Sequence, residues 1–118
     1  MLFNGLFKHM MAGVYREWGA TYVFRGQGKE AVSACTRALK LDPEQTEVYL
    51  NRARALETEG DYDAALGDYD AALRLNPNLP QAYLQRGMNY FSRKLYNEAI
   101  ADLNMALHQE PSLALAYA

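Results

Sequence analysis

Cysteine is nearly absent from this chain. Cys35 stands alone among 118 residues, which excludes an intrachain disulfide and fits a reducing compartment. No apolar run approaches the roughly 20 residues that a membrane-spanning helix needs. The opening residues, MLFNGLFKHMM, are apolar but are broken by Asn4, Gly5, Lys8 and His9. They have neither the basic start nor the uninterrupted apolar stretch of a secretory signal, so the expected compartment is the cytoplasm. Charge of either sign is scarce in excess: the net is −2, with half of the residues apolar. That balance gives no general drive toward nucleic acid or an anionic membrane. His9 and His108 have no second His, Cys or clustered carboxylate at metal-ligand spacing. No serine sits in a nucleophile motif, and no glycine-rich phosphate loop follows a strand. The pairs Asp61/Asp63 and Asp68/Asp70 lack the central glycine and late glutamate of a calcium loop. No enzyme, metal or cofactor is therefore expected.

What the chain does contain is a repeat. Pro43, Pro77 and Pro111 are separated by 34 residues, and so are Tyr15, Tyr49, Tyr83 and Tyr117. Three alanine pairs, Ala31/Ala38, Ala65/Ala72 and Ala99/Ala106, keep the same step. A period of this length with aromatics, small residues and a closing proline predicts an array of helix pairs. Aligned on the prolines, the units are 12–45, 46–79 and 80–113, preceded by an apolar helical segment at 1–11 and followed by the start of a fourth unit at 114–118. Because that unit is not finished, a fragment of a longer protein is one expectation, with either a further domain or more repeats downstream.

Each first helix carries one pattern: Tyr15, Trp18, Gly19, Tyr22; Tyr49, Arg52, Ala53, Leu56; Tyr83, Arg86, Gly87, Tyr90. Steps of three and four put these on one helical face, with a small residue where a neighbouring helix comes close. A break follows at Arg25-Gly26-Gln27-Gly28, Glu59-Gly60-Asp61 and Arg93-Lys94-Leu95. Glycine supports the reversal in the first two; the third is expected to close without an easy positive φ. The second helix of each unit repeats Ala31, Cys35, Ala38, Leu39 in the same register, so Cys35 is expected in the core. Arg52 and Asp68 in the second unit correspond to Arg86 and Asp102 in the third, while Trp18 and Ala34 stand in the first. The two charges vanish together, which predicts that each Arg pairs with the Asp of its own unit.

At these residues the sequence resembles the tetratricopeptide repeat (TPR) family over 12–113. The resemblance implies an all-α fold: a right-handed superhelix of antiparallel helix pairs, with three repeat units plus flanking helical segments. Its concave face would be lined mainly by the first helix of each pair. By the same resemblance, Arg16, Phe24, Leu50, Asn51, Arg54, Leu84, Gln85, Met88 and Phe91 face that concave side. An apolar strip edged by Arg16, Asn51 and Arg54 suits an extended or helical peptide with apolar anchors. Packing against a further helix of the same protein accounts for such a strip equally well. Some family members clamp the C-terminal carboxylates of chaperones with Lys, Asn and Arg. Arg16 and Asn51 match two clamp positions, but Ala20, Gln81 and Gln85 replace the others, and neutral Gln cannot supply the lost charge. Chaperone-tail binding is not expected.

The expected function is a non-catalytic scaffold that binds a peptide segment of a protein partner, without nucleic acid and without membrane insertion. The alternative is self-assembly, driven by the apolar first segment and the open repeat ends. Residues 1–41 carry a net +4 and residues 42–72 a net −7. That asymmetry can steer a partner or a second copy, although ordinary solvated helix faces also explain it.

Overall fold

The computed structural model describes residues 2–114, with side chains from residue 4 onward. Tyr117 and the rest of the fourth-unit start lie outside the described residues; Leu113 and Ala114 are already helical. Six longer helices run α1 (Leu2–Phe24), α2 (Gly28–Leu41), α3 (Thr46–Thr58), α4 (Tyr62–Leu75), α5 (Pro80–Ser92) and α6 (Tyr96–Gln109), and the described residues contain no strand. The fold is all-α. The apolar opening segment and the first helix of the first unit are one continuous helix of 23 residues.

Three turns of the same construction reverse the chain between paired helices, making each pair antiparallel. At the first, Gly26 N–H donates to Val23 O and Gln27 N–H to Tyr22 O. The second repeats this with Gly60 to Glu57 and Asp61 to Leu56, and the third with Lys94 to Phe91 and Leu95 to Tyr90. Paired bonds of this kind satisfy the last carbonyls of a helix and need a left-handed residue after it. Gly26 (φ 72°) and Gly60 (φ 82°) supply it without a Cβ penalty, and Lys94 (φ 63°) supplies it with one. The third turn therefore does use a positive φ, contrary to the expectation, because the same two hydrogen bonds hold it there. Lys94→Gly should raise stability by about 0.5–1 kcal/mol, read from denaturant melts, as relief of the Cβ clash outweighs glycine's entropy. An unchanged or lower midpoint would mean that Lys94 is not strained. At helix starts, Asp61 Oδ1 accepts from Ala64 N–H in α4, and α5 opens on Pro80, whose missing N–H leaves no orphan donor.

The chain divides into two compact units, Met1–Ala72 and Leu73–Ala118, with the last residues of α4 in the second. In the first unit α1 packs on α2, and α3 packs on both. Cys35, Ala38, Leu39 and Val48 form its core, flanked by Tyr15 and Tyr49. Small residues set the separations: a Cβ at Gly19 would stand 2.6 Å from Cys35 Sγ. In the second unit α5 packs on α6 around Leu84, Ala106 and Leu113, with Tyr83 and Leu103 against them. There a Cβ at Gly87 would come within 3.2 Å of both Asp102 and Leu103.

Candidate functional site

Both expected intra-unit ion pairs are present. Arg52 donates from Nε to Asp68 Oδ2 (2.8 Å) and from Nη2 to Asp68 Oδ1 (2.7 Å), a two-pronged pairing between α3 and α4. Arg86 does the same to Asp102 at 2.7 and 2.8 Å, joining α5 to α6. The hydrogen bond to Asp68 raises the already high pKa of Arg52. The sequence reading missed a third contact: Arg52 Nη1 also donates to Thr36 Oγ1 of α2 at 3.3 Å. A signal for it existed, since Thr36 and Asp68 lie 16 residues to either side of Arg52.

The first repeat, residues 12–45, solves the same position differently. Trp18 replaces the arginine and is 53% exposed; Ala34 replaces the aspartate and is buried. Trp18 and Tyr15 meet edge to face at 5.6 Å. Arg52 and Arg86 each lie over the tyrosine of their own first helix, at 5.8 and 5.6 Å. In the first unit Arg37 of α2 takes that place over Tyr15 at 5.6 Å. The guanidinium over the ring is thus kept while the ion pair is lost. A shallow cleft of about 220 Å³ results, lined by Tyr15, Trp18 and Tyr22 of α1 and by Glu30, Ala34 and Arg37 of α2.

In the second unit an apolar groove of about 630 Å³ opens between α5 and α6. Leu84, Met88 and Phe91 line it from α5, Leu103, Ala106 and Leu107 from α6, and Leu113 also contributes. Phe91 also meets Tyr96 edge to face at 5.6 Å. The groove has no charged lining, so its chemistry is that of an apolar seat.

The residues expected to meet a partner divide by burial. In the second unit Met88 and Phe91 are more than half exposed and line the groove. Leu84 lines it too but is 7% exposed and belongs to the core cluster. Gln85 is half-buried. In the first unit Phe24 and Arg54 are exposed and Asn51 is half-buried. Leu50 is buried, 4% exposed, because α3 packs against α1 as well as α2. Its match with Leu84 one repeat later was the available signal, since residues held in register are core residues. Arg16 is exposed, and its Nη1 donates to Gln45 Oε1 at 3.2 Å. Gln45 in turn donates to the carbonyls of Ala38 and Asp42, tying Arg16 to the end of α2.

Two buried groups carry no exposed chemistry. Burial pushes the Cys35 thiol up to about 11. Burial, reinforced by donation to Glu57 Oε1 at 2.7 Å, pushes the Tyr69 hydroxyl well above its usual value. Cys35 should react with a maleimide at pH 8 at least about 100-fold more slowly than an exposed thiol, from its lower thiolate fraction alone. Its folded-state pKa lies above the unfolded value near 9.0, so the stability it contributes is complete below pH 9 and is lost as pH rises toward 11. Cys35→Ala should remove that part of the alkaline slope; rapid labelling of the native chain would contradict the assignment. Among the described residues, no three His, Cys, Asp or Glu side chains come together to hold a metal ion, and no helix is long and apolar enough to cross a membrane.

Known proteins share this arrangement. The tetratricopeptide repeat family profile matches twice, over residues 16–80 and 50–114. The DnaJ homolog subfamily C member 3 homolog of Dictyostelium discoideum is 49% identical over 43 residues, which is 36% of this chain and 9% of that protein. The Arabidopsis OM64 TPR domain is 31% identical with a TM-score of 0.85, covering 89% of this chain and 87% of that one. The first TPR of Spaghetti (RPAP3), bound to the HSP90 peptide SRMEEVD, is 30% identical with a TM-score of 0.82, covering 86% and 81%. With its repeat register, its helix pairs and two profile matches that together run from residue 16 to residue 114, the chain belongs to the tetratricopeptide repeat family.

Proposed function

We propose that this chain is a non-catalytic protein-interaction module that takes a peptide segment of a partner through apolar anchors. The observation that carries this is the groove of the second unit, where Met88 and Phe91 stand more than half exposed around an uncharged cavity. Apolar side chains of a bound segment would bury against Leu103 and Leu107 there, at about 25 cal/mol per Å² removed from water. Gln85 is the polar group of the same unit suited to main-chain groups of that segment, and Arg16, Asn51 and Arg54 offer such chemistry on the Met1–Ala72 unit by itself. A similar domain is bound to SRMEEVD, which supports peptide binding as the mode. The acidic character of that peptide does not suit the residues here, since Ala20, Gln81 and Gln85 carry no charge.

Selection from a phage-displayed random peptide library on the 118-residue chain tests the reading. The expected winners carry two or more large apolar residues at steps of three or four and few acids. They should outbind SRMEEVD by at least about tenfold, which corresponds to about 1.4 kcal/mol. Enrichment of acidic C-terminal sequences, or of none, would contradict it.

A further inference from the structure

We propose that helix α1 pairs with α1 of a second copy of this chain, antiparallel and about a two-fold axis, to give a dimer. The inference uses the Met1–Ala72 unit by itself and is independent of the groove reading.

The first helix is longer than its packing requires. α3 and α5, the first helices of the later repeats, have 13 residues each, and α1 has 23. The extra turns precede residue 12, and residues 4–10 are exposed on every side of the helix. A helical overhang of that length is marginal in water by itself and gains from a partner face. Its composition calls for an apolar one: Leu6, Phe7 and Met10 are more than half exposed.

The pattern continues past the overhang. Leu6, Met10, Val14 and Trp18 follow one another at steps of four. Such a row forms one ridge along a helix, and two ridges of this kind interdigitate in the commonest class of helix crossing, near −50°. At 100° per residue the buried Ala12 and Gly19 lie on the other side of α1, where Gly19 comes close to Cys35 of α2, so the ridge faces outward.

The symmetry of the row selects a second copy as its occupant. Reversing α1 about residue 12 exchanges Leu6 with Trp18 and Met10 with Val14. A two-fold axis there sets apolar ridge against apolar ridge in both directions, and no charged residue belongs to the ridge. Gly13, beside the crossing, leaves its own row without a side chain; a Cβ added there would meet Arg16 Nη2 at 3.6 Å. The exposed parts of Leu6, Phe7, Met10 and Trp18 come to roughly 500 Å² per copy, hence about 1,000 Å² in all, the lower edge for a specific interface. A contact of that size gives a weak dimer, and because each copy offers the same surface it stops at two.

Trp18 is the one tryptophan of the chain and reports on the ridge. Between roughly 1 μM and roughly 1 mM its emission should move to shorter wavelength as the indole leaves water, in step with sedimentation that rises from one copy to two and no further. Met10→Glu should raise the dissociation constant at least about 100-fold, because both copies lose the anchor at once. Helicity and the melting midpoint should stay unchanged in that variant, since Met10 lies on the overhang. Met10→Cys chains should cross-link to one another with a short bismaleimide, because both copies present that position beside the axis. Gly67→Cys chains, whose added side chain stands in open space on α4, should not. Cys35 is buried and stays silent.

Sedimentation as a single copy across the whole range overturns the proposal. So does growth past two copies, which would mean a contact between two different surfaces. An emission shift on phosphatidylserine vesicles, with the chain monomeric in solution, overturns it too and would make α1 a lipid-surface helix.

Discussion

Asp68→Ala should destabilise the chain by about 2–4 kcal/mol, between the range for exposed pairs and that for fully buried ones. The reason is geometric. Asp68 is 92% hidden as a side chain, taking its exposure of 8%, and it receives both prongs of Arg52. Removing the carboxylate leaves an Arg52 side chain three-quarters withdrawn from water, with the longer 3.3 Å bond to Thr36 still in place across the helix contact. Exchanging both partners for apolar residues of similar volume, Arg52→Met with Asp68→Leu, should cost less than about 1 kcal/mol, because no unpaired charge remains. The first repeat, residues 12–45, already does without the pair, holding Trp18 and Ala34 instead. Urea melts of the two single variants and the double variant give the coupling between the side chains. A single variant within about 0.5 kcal/mol of the parent would show that the pair fixes nothing.

Met88→Glu and Phe91→Glu should each weaken peptide binding by at least about 30-fold, as expected where an anchor worth about 2 kcal/mol is lost. Neither should move the melting midpoint by more than the equivalent of about 0.5 kcal/mol, since both side chains are more than half exposed. Leu84→Glu should behave otherwise. Leu84 lines the same groove but packs with Ala106 and Leu113, so a carboxylate there is buried without a partner and the second unit loosens by about 3 kcal/mol or more. The split between binding and stability distinguishes a groove from a core defect. If Met88→Glu and Leu84→Glu had the same effect on both readouts, the groove would be only a packing fault.

The 34-residue step carried most of the fold. It located each helix, because the proline, the small residue and the aromatic recur where backbone and packing need them. It also located the two Arg–Asp pairs, because both charges disappear together in the first unit. It also separates Leu50 and Leu84, which match one repeat apart, from Met88 and Phe91, whose counterparts are Arg54 and Glu57. Grouping all four as apolar residues on first helices passed over that match, and the first two are buried while the last two are exposed. The left-handed Lys94 was signalled by register, one step after Gly60 and two after Gly26, and was missed because residue preference alone argues against a positive φ at lysine. Arg37 over Tyr15 was hidden because a helix of different register supplies what Arg52 and Arg86 supply elsewhere.

The most direct measurement is a calorimetric titration of a library-selected peptide, with two apolar anchors and no net negative charge, into the chain and into its Phe91→Glu variant. The interaction reading predicts a saturable site with one peptide per chain, a negative heat-capacity change from apolar burial, and loss of binding in the variant. Equal binding to both proteins, or tighter binding of SRMEEVD than of the apolar peptide, would contradict it.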